Sequence, residues 1–189
     1  MPDQKTRCSL AQRSQTALLV VDFQEKFRPV IANFEGILEK LILATRSAGI
    51  LKVPIMVTEQ YPKGLGTTVE ELQPFLAGVE RIAKTDFSCF KEGRFLEELR
   101  KVQVNTLILG GVEAHVCVAQ TALHAVSEGY QVHVLEDAVG SRNPEHLGIA
   151  LKRLREAGVV ISCTEMAVFE LLGCAGTLEF KEVQKLIKT

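Results

Sequence analysis

The chain has 189 residues, 47% of them hydrophobic, with 22 Lys plus Arg against 23 Asp plus Glu and a net charge of −1. That length suits one compact domain near the usual ~150 residues, and the composition excludes intrinsic disorder. The longest apolar run is Ala17 to Val21 and no run of five basic residues occurs, so neither a membrane span nor a nucleic-acid-binding surface is expected.

Residues 1–15, MPDQKTRCSLAQRSQ, are polar and lack an apolar core for a secretory signal. They are expected to be loosely held, with residues 16–189 forming the single domain. Five cysteines (8, 89, 117, 163, 174) are widely spaced, without a CxxC pair. Reduced thiols in a cytoplasmic compartment are therefore expected.

Short runs rich in strand formers follow at 17–22, 53–57, 79–83, 104–109, 131–135 and 159–162. Helical patterns lie between and after them, at 33–47, 95–102, 116–127, 144–157 and 180–188. Gly49 reads as the stop of the first, and Asn143-Pro144 as a cap plus a proline at the first helical position. Strand and helix alternating in this way predict a three-layer α/β/α fold around a six-stranded parallel sheet, Rossmann-like in type. Ligands of such sheets bind beyond the carboxyl ends of the strands, so the residues after each strand are the ones that matter.

Asp22 ends the first strand, Lys84 follows the third, and Cys117 opens a helix after the fourth, in Gly110-Gly-Val-Glu-Ala-His-Val-Cys117. Taken singly, each has a structural explanation: a turn-forming Asp, a solvated Lys, a small buried Cys. Together on one sheet edge they supply a base, a charge partner and a nucleophile. A helix N-terminus favours the thiolate, which predicts a lowered thiol pKa. Asp137 is expected to fix the loop after the fifth strand, and Cys89 to be a spectator.

The segments Ala17-Leu-Leu-Val-Val-Asp22-Phe-Gln, Lys84-Thr-Asp-Phe-Ser-Cys-Phe and Gly110-Gly-Val-Glu-Ala-His-Val-Cys117-Val-Ala-Gln-Thr-Ala carry a resemblance. So does Gly129-Tyr-Gln-Val-His-Val-Leu-Glu-Asp137-Ala-Val-Gly-Ser-Arg. Over roughly residues 14 to 175 the chain resembles the isochorismatase-like cysteine hydrolase superfamily. The resemblance implies a catalytic Asp22, Lys84 and Cys117, an oligomer, and a cis peptide between Val112 and Glu113. With that peptide cis, the backbone N–H groups of Glu113 and Cys117 would form an oxyanion hole.

Two departures narrow the chemistry. Nicotinamidase-type members carry histidine metal ligands where this chain has Thr58-Glu59-Gln60, so no metal and no cofactor is expected. Vinyl-ether-opening isochorismatases lack the cysteine, which is present here. The expected function is a cysteine hydrolase of a small amide or related C–N acyl substrate. The alternatives are a vinyl-ether hydrolase and a non-catalytic interaction protein that keeps the fold. Phe23, Phe27, Tyr61 and Phe87 lie near strand ends as candidate pocket walls, and Gln24 and His115 as candidate substrate hydrogen-bond donors. The apolar stretch from Cys163 to Gly176 is expected to contribute to a homo-oligomer contact.

Overall fold

Every residue of strand β1 (Thr16–Val21) is buried, as expected of a Val/Leu-rich strand covered on both faces. The computed structural model describes residues 10–188. The remaining strands are β2 (Ile55–Gln60), β3 (Arg81–Lys84), β4 (Thr106–Val112), β5 (Gln131–Gly140) and β6 (Val160–Ser162). Their order is β3-β2-β1-β4-β5-β6, and each adjacent pair is parallel. The helices are α1 (Phe34–Leu51), α2 (Pro62–Leu65), α3 (Gly93–Val102), α4 (Ala119–Ser127), α5 (Pro144–Glu156), α6 (Thr164–Leu172) and α7 (Leu178–Ile187).

Alternation along the strands divides the core. Leu19, Val21, Leu107 and Leu109 pack with residues of α3, α4 and α5. Leu18, Val20 and Ile108 face the other way, against α1 and α6. This is the three-layer α/β/α arrangement that the alternating pattern predicts. No described helix is long and apolar enough to cross a membrane.

Several boundaries differ from the sequence reading, each for a physical reason. Strand β4 runs through Gly110-Gly111 instead of closing before them, pairing Val21 with Gly111. Gly111 has φ +120, and a Cβ there would lie 2.0 Å from the Val21 carbonyl oxygen. Only glycine permits this approach of the two central strands. Helix α1 passes through Gly49 and ends at Leu51, with Lys52 at φ 55 closing it. Strand β5 continues beyond Leu135 to Gly140. Helix α6 occupies the stretch expected only to be an apolar contact. Asp137 holds its start, with Oδ1 accepting from the Thr164 N–H at 2.8 Å and the Thr164 hydroxyl at 2.9 Å.

Of the N-terminal segment, residues 1–9, Cys8 included, lie outside the described residues. Residues just after them are fastened to the body: Ala11 is buried and its N–H donates to Glu170 Oε2 at 2.8 Å.

Candidate active site

Strands β1 and β4 are neighbours at the centre of the sheet. The chain leaves β1 for β2 on one side and β4 for β5 on the other. The crevice at this reversal is where open α/β sheets bind ligands. Asp22 is the first residue past β1, fully buried, with φ 51, a left-handed conformation that Asp tolerates better than most residues. Lys84 is the last residue of β3 itself rather than the first beyond it. Cys117 sits in a π turn, Ala114–Val118, ahead of α4. The Glu113 carbonyl accepts from the N–H groups of Val116 at 3.0 Å and Val118 at 3.2 Å. The Val112–Glu113 peptide is cis.

Lys84 Nζ donates to Asp22 Oδ2 at 2.6 Å, and neither side chain is exposed. Its other acceptors are Gln60 Oε1 at 2.6 Å and the carbonyls of Asp86 and Phe87 at 3.2 and 3.3 Å. A buried ammonium needs this many acceptors to offset lost hydration. Asp22 Oδ1 accepts from the Thr58 hydroxyl at 2.7 Å. The Cys117 thiol lies 3.8 Å from Gln60 Oε1 and feels the charge of the Asp22 carboxylate.

Burial pushes the Cys117 thiol well above the ordinary range. The Asp22 carboxylate adds to that rise, and Lys84 only partly opposes it. This corrects the expectation of a lowered thiol pKa: desolvation and an adjacent anion outweigh the helix start. The resting site is thus a neutral thiol beside a carboxylate–ammonium pair. Burial pulls the Lys84 ammonium down, but the groups opposing it, Asp22 foremost, leave it above the ordinary lysine value and protonated.

A cleft of about 300 Å³ opens onto Cys117. It is lined by Lys26, Phe27, Val30, Gln60, Leu65, Phe87, Glu113, Val116, Cys117 and Arg142. Phe27 and Phe87 are therefore pocket walls. Phe23 is not: it is fully buried and stacks on Phe34 with centroids 4.3 Å apart. Tyr61 is exposed and lies outside the lining. The Gln24 amide is spent on the fold. Its Nε2 donates to the carbonyls of Gln60 at 3.0 Å and Gly66 at 2.6 Å, and its Oε1 accepts from the Gln60 N–H at 2.7 Å. His115 is likewise structural, with Nδ1 2.9 Å from Ser141 Oγ and its ring 4.9 Å from that of His146.

Cys89 does not line the cleft, yet it is joined to the site. Thr121 Oγ1 donates to its sulfur at 3.3 Å, and its thiol reaches Thr58 Oγ1 at 3.7 Å. Thr58 in turn holds Asp22. Burial foremost, with the Asp22 charge, pushes the Cys89 thiol up to about 11. In the stretch Thr58-Glu59-Gln60, Thr58 and Gln60 serve the site, while Glu59 Oε1 accepts from the Thr68 N–H at 2.7 Å and its hydroxyl at 2.8 Å.

The sequence reading missed Thr58, Gln60, Lys26 and Arg142. Thr58 and Gln60, two apart at the carboxyl end of β2, share one face, and Arg142 follows β5 by two residues. The strand-end rule that found Asp22 applies to both strands equally.

The family model described as Isochorismatase domain matches residues 16–166. Isochorismatase domain-containing protein 2 of Pongo abelii is 42% identical over 172 residues, covering 90% of this chain and 82% of that protein. The structure of MAR1 ribonuclease from Caenorhabditis elegans superposes with a TM-score of 0.91 at 40% identity, covering 96% of this chain and 93% of that one. The YcaC gene product from Escherichia coli, an octameric hydrolase of unknown specificity, gives a TM-score of 0.88 at 22% identity over 94% and 90% of the two chains. At that identity the last likeness speaks to the fold.

Proposed function

From the premise that this chain belongs to the isochorismatase-like hydrolase family, we propose that it is a cysteine hydrolase. It cleaves the C–N bond of a small amide or related acyl substrate through a Cys117 thioester. The observation that carries this reading is the 2.6 Å contact of Lys84 Nζ with Asp22 Oδ2, wholly buried next to the Cys117 thiol on the cleft wall. A scaffold has no use for a desolvated ion pair beside a thiol.

The proton inventory is consistent. The thiol is neutral at rest, so Asp22 takes its proton as the sulfur attacks the carbonyl carbon. Lys84 compensates the negative charge as it moves from carboxylate to sulfur and then to the carbonyl oxygen. The Glu113 and Cys117 N–H groups receive that oxyanion, each donor worth ~3 kcal/mol in such sites. Asp22 then passes its proton to the leaving nitrogen, and water activated by the same carboxylate cleaves the thioester. Each step uses side chains and backbone N–H groups of this chain and one water, and calls on no metal or cofactor.

The test is a screen of small amides, carbamoyl compounds and vinyl ethers, with chelator present throughout and an RNA substrate included because a neighbour is named as a ribonuclease. C–N cleavage, a thioester-sized mass increase on Cys117, and loss of both in Cys117→Ala are expected. Turnover that survives Cys117→Ala, or that chelator abolishes, would overturn the mechanism. We further propose a homo-oligomer acting on a small molecule, without nucleic-acid or membrane partners, in the cytoplasm.

A further inference from the structure

Three ionisable side chains line the cleft besides Cys117: Lys26, Glu113 and Arg142. Glu113 is buried and committed to Arg142. Its Oε1 and Oε2 accept from Arg142 Nε at 3.0 and 3.1 Å, and Oε2 also accepts from the Arg142 backbone N–H at 2.9 Å. The guanidinium is thus gripped by its Nε edge. Among the described residues no acceptor engages its Nη1 or Nη2, and the side chain is 63% exposed. Lys26 is exposed, with no ion pair among the described residues. The Asp22–Lys84 pair sums to zero, so the cleft holds two cations against one anion. Phe27, Leu65 and Val116 between them supply apolar walls.

Resting on the reading of this cleft as the substrate site, we infer that the substrate is a monoanionic acid, with a carboxylate held by Arg142 and Lys26 and a reactive carbonyl separated from it by a short apolar spacer. The surplus of one positive charge matches one carboxylate. The planar guanidinium, pre-aimed by Glu113, offers two parallel donors that fit carboxylate geometry, while Lys26 adds a movable point charge.

The test reads binding, not turnover, so its failure is separable from failure of the hydrolase reading. Calorimetric titration compares 3-phenylpropionate with the neutral 3-phenylpropanol. The acid is expected to bind at least about tenfold more tightly, the return of a charge-assisted hydrogen-bonded contact. Arg142→Gln should remove most of that preference and Arg142→Lys restore part of it, the charge without the fork. Lys26→Met, at an exposed position that folding does not need, should reduce the preference and its sensitivity to salt. Equal affinities, no binding by the acid, or an acid preference unchanged in both Arg142→Gln and Lys26→Met would overturn the inference.

Discussion

Asp22 acts on Cys117 in two opposed senses. As a base it must take the thiol proton, yet as a resident anion it holds that proton on sulfur, adding to the rise that burial causes. Removing the carboxylate charge should therefore free the thiolate while destroying the base. In Asp22→Asn the upward push of the carboxylate charge is gone, which lowers the Cys117 pKa. The expected outcome is loss of turnover with faster iodoacetamide labelling of Cys117 at neutral pH, the labelling profile moving to lower pH. Labelling that slows, or a profile that moves upward, would contradict the assignment of Asp22 as the thiol's anionic neighbour. The substitution strips a buried pair of one partner, at a cost of about 3–5 kcal/mol, so circular dichroism must show folded protein first. At this scale Asp22 is legible because it ends an uninterrupted apolar strand, whereas Lys84, after a weaker run holding Arg81, and Cys117, five residues past β4, are legible through their joint placement on one sheet edge. Phe23, Gln24 and His115 were misread because proximity in sequence carries no side-chain direction. After the φ 51 turn at Asp22, Phe23 points into the core, and Gln24 is captured by the end of β2.

Two glycines show what the elements require. In Gly111 the absence of a side chain is the structure: β1 and β4 meet there, and a Cβ would clash with the Val21 carbonyl oxygen at 2.0 Å. Gly111→Ala should cost about 3 kcal/mol or more, from overpacking against backbone and an unfavourable φ. Gly49 is the reverse. It lies inside α1, and a Cβ there meets nothing within 4 Å, so Gly49→Ala should stabilise the protein by about 0.5–1 kcal/mol. Urea denaturation of the two variants checks both signs, and destabilisation by Gly49→Ala would mean that α1 does not run on to Leu51 under the test conditions. The same pair explains what the sequence reading caught of the elements. Strand count, parallel pairing and five helices followed from apolar periodicity. Where a helix or strand crosses a glycine, periodicity gives no boundary, and α6 was hidden because its apolar residues are nearly continuous. Its start is set by Asp137, 27 residues upstream of Thr164, a long-range cap that local pattern cannot reveal.

Helices cover both faces of the open sheet, so association between whole molecules over a face uses helix surfaces. Helix α6 offers one. Ala167, Val168 and Leu171 are buried, the part of the Cys163 to Gly176 stretch spent on its own core. Met166 and Phe169 are 56% and 43% exposed, and at i and i+3 they share the outer face. Leu178 starts the adjoining α7 and is 77% exposed. Grouped apolar side chains of this size are uncommon on a monomer, and a net charge of −1 offers little repulsion against self-association. Sedimentation at micromolar concentration should give a multiple of the 20.8 kDa chain mass, and Met166→Glu with Phe169→Glu should shift it toward the single chain without loss of helix content. A protein already at 20.8 kDa would refute the assembly. An assembly that tolerates both charges would refute α6 as its surface, because two glutamates buried face to face with their symmetry copies have no counterion to offset their desolvation.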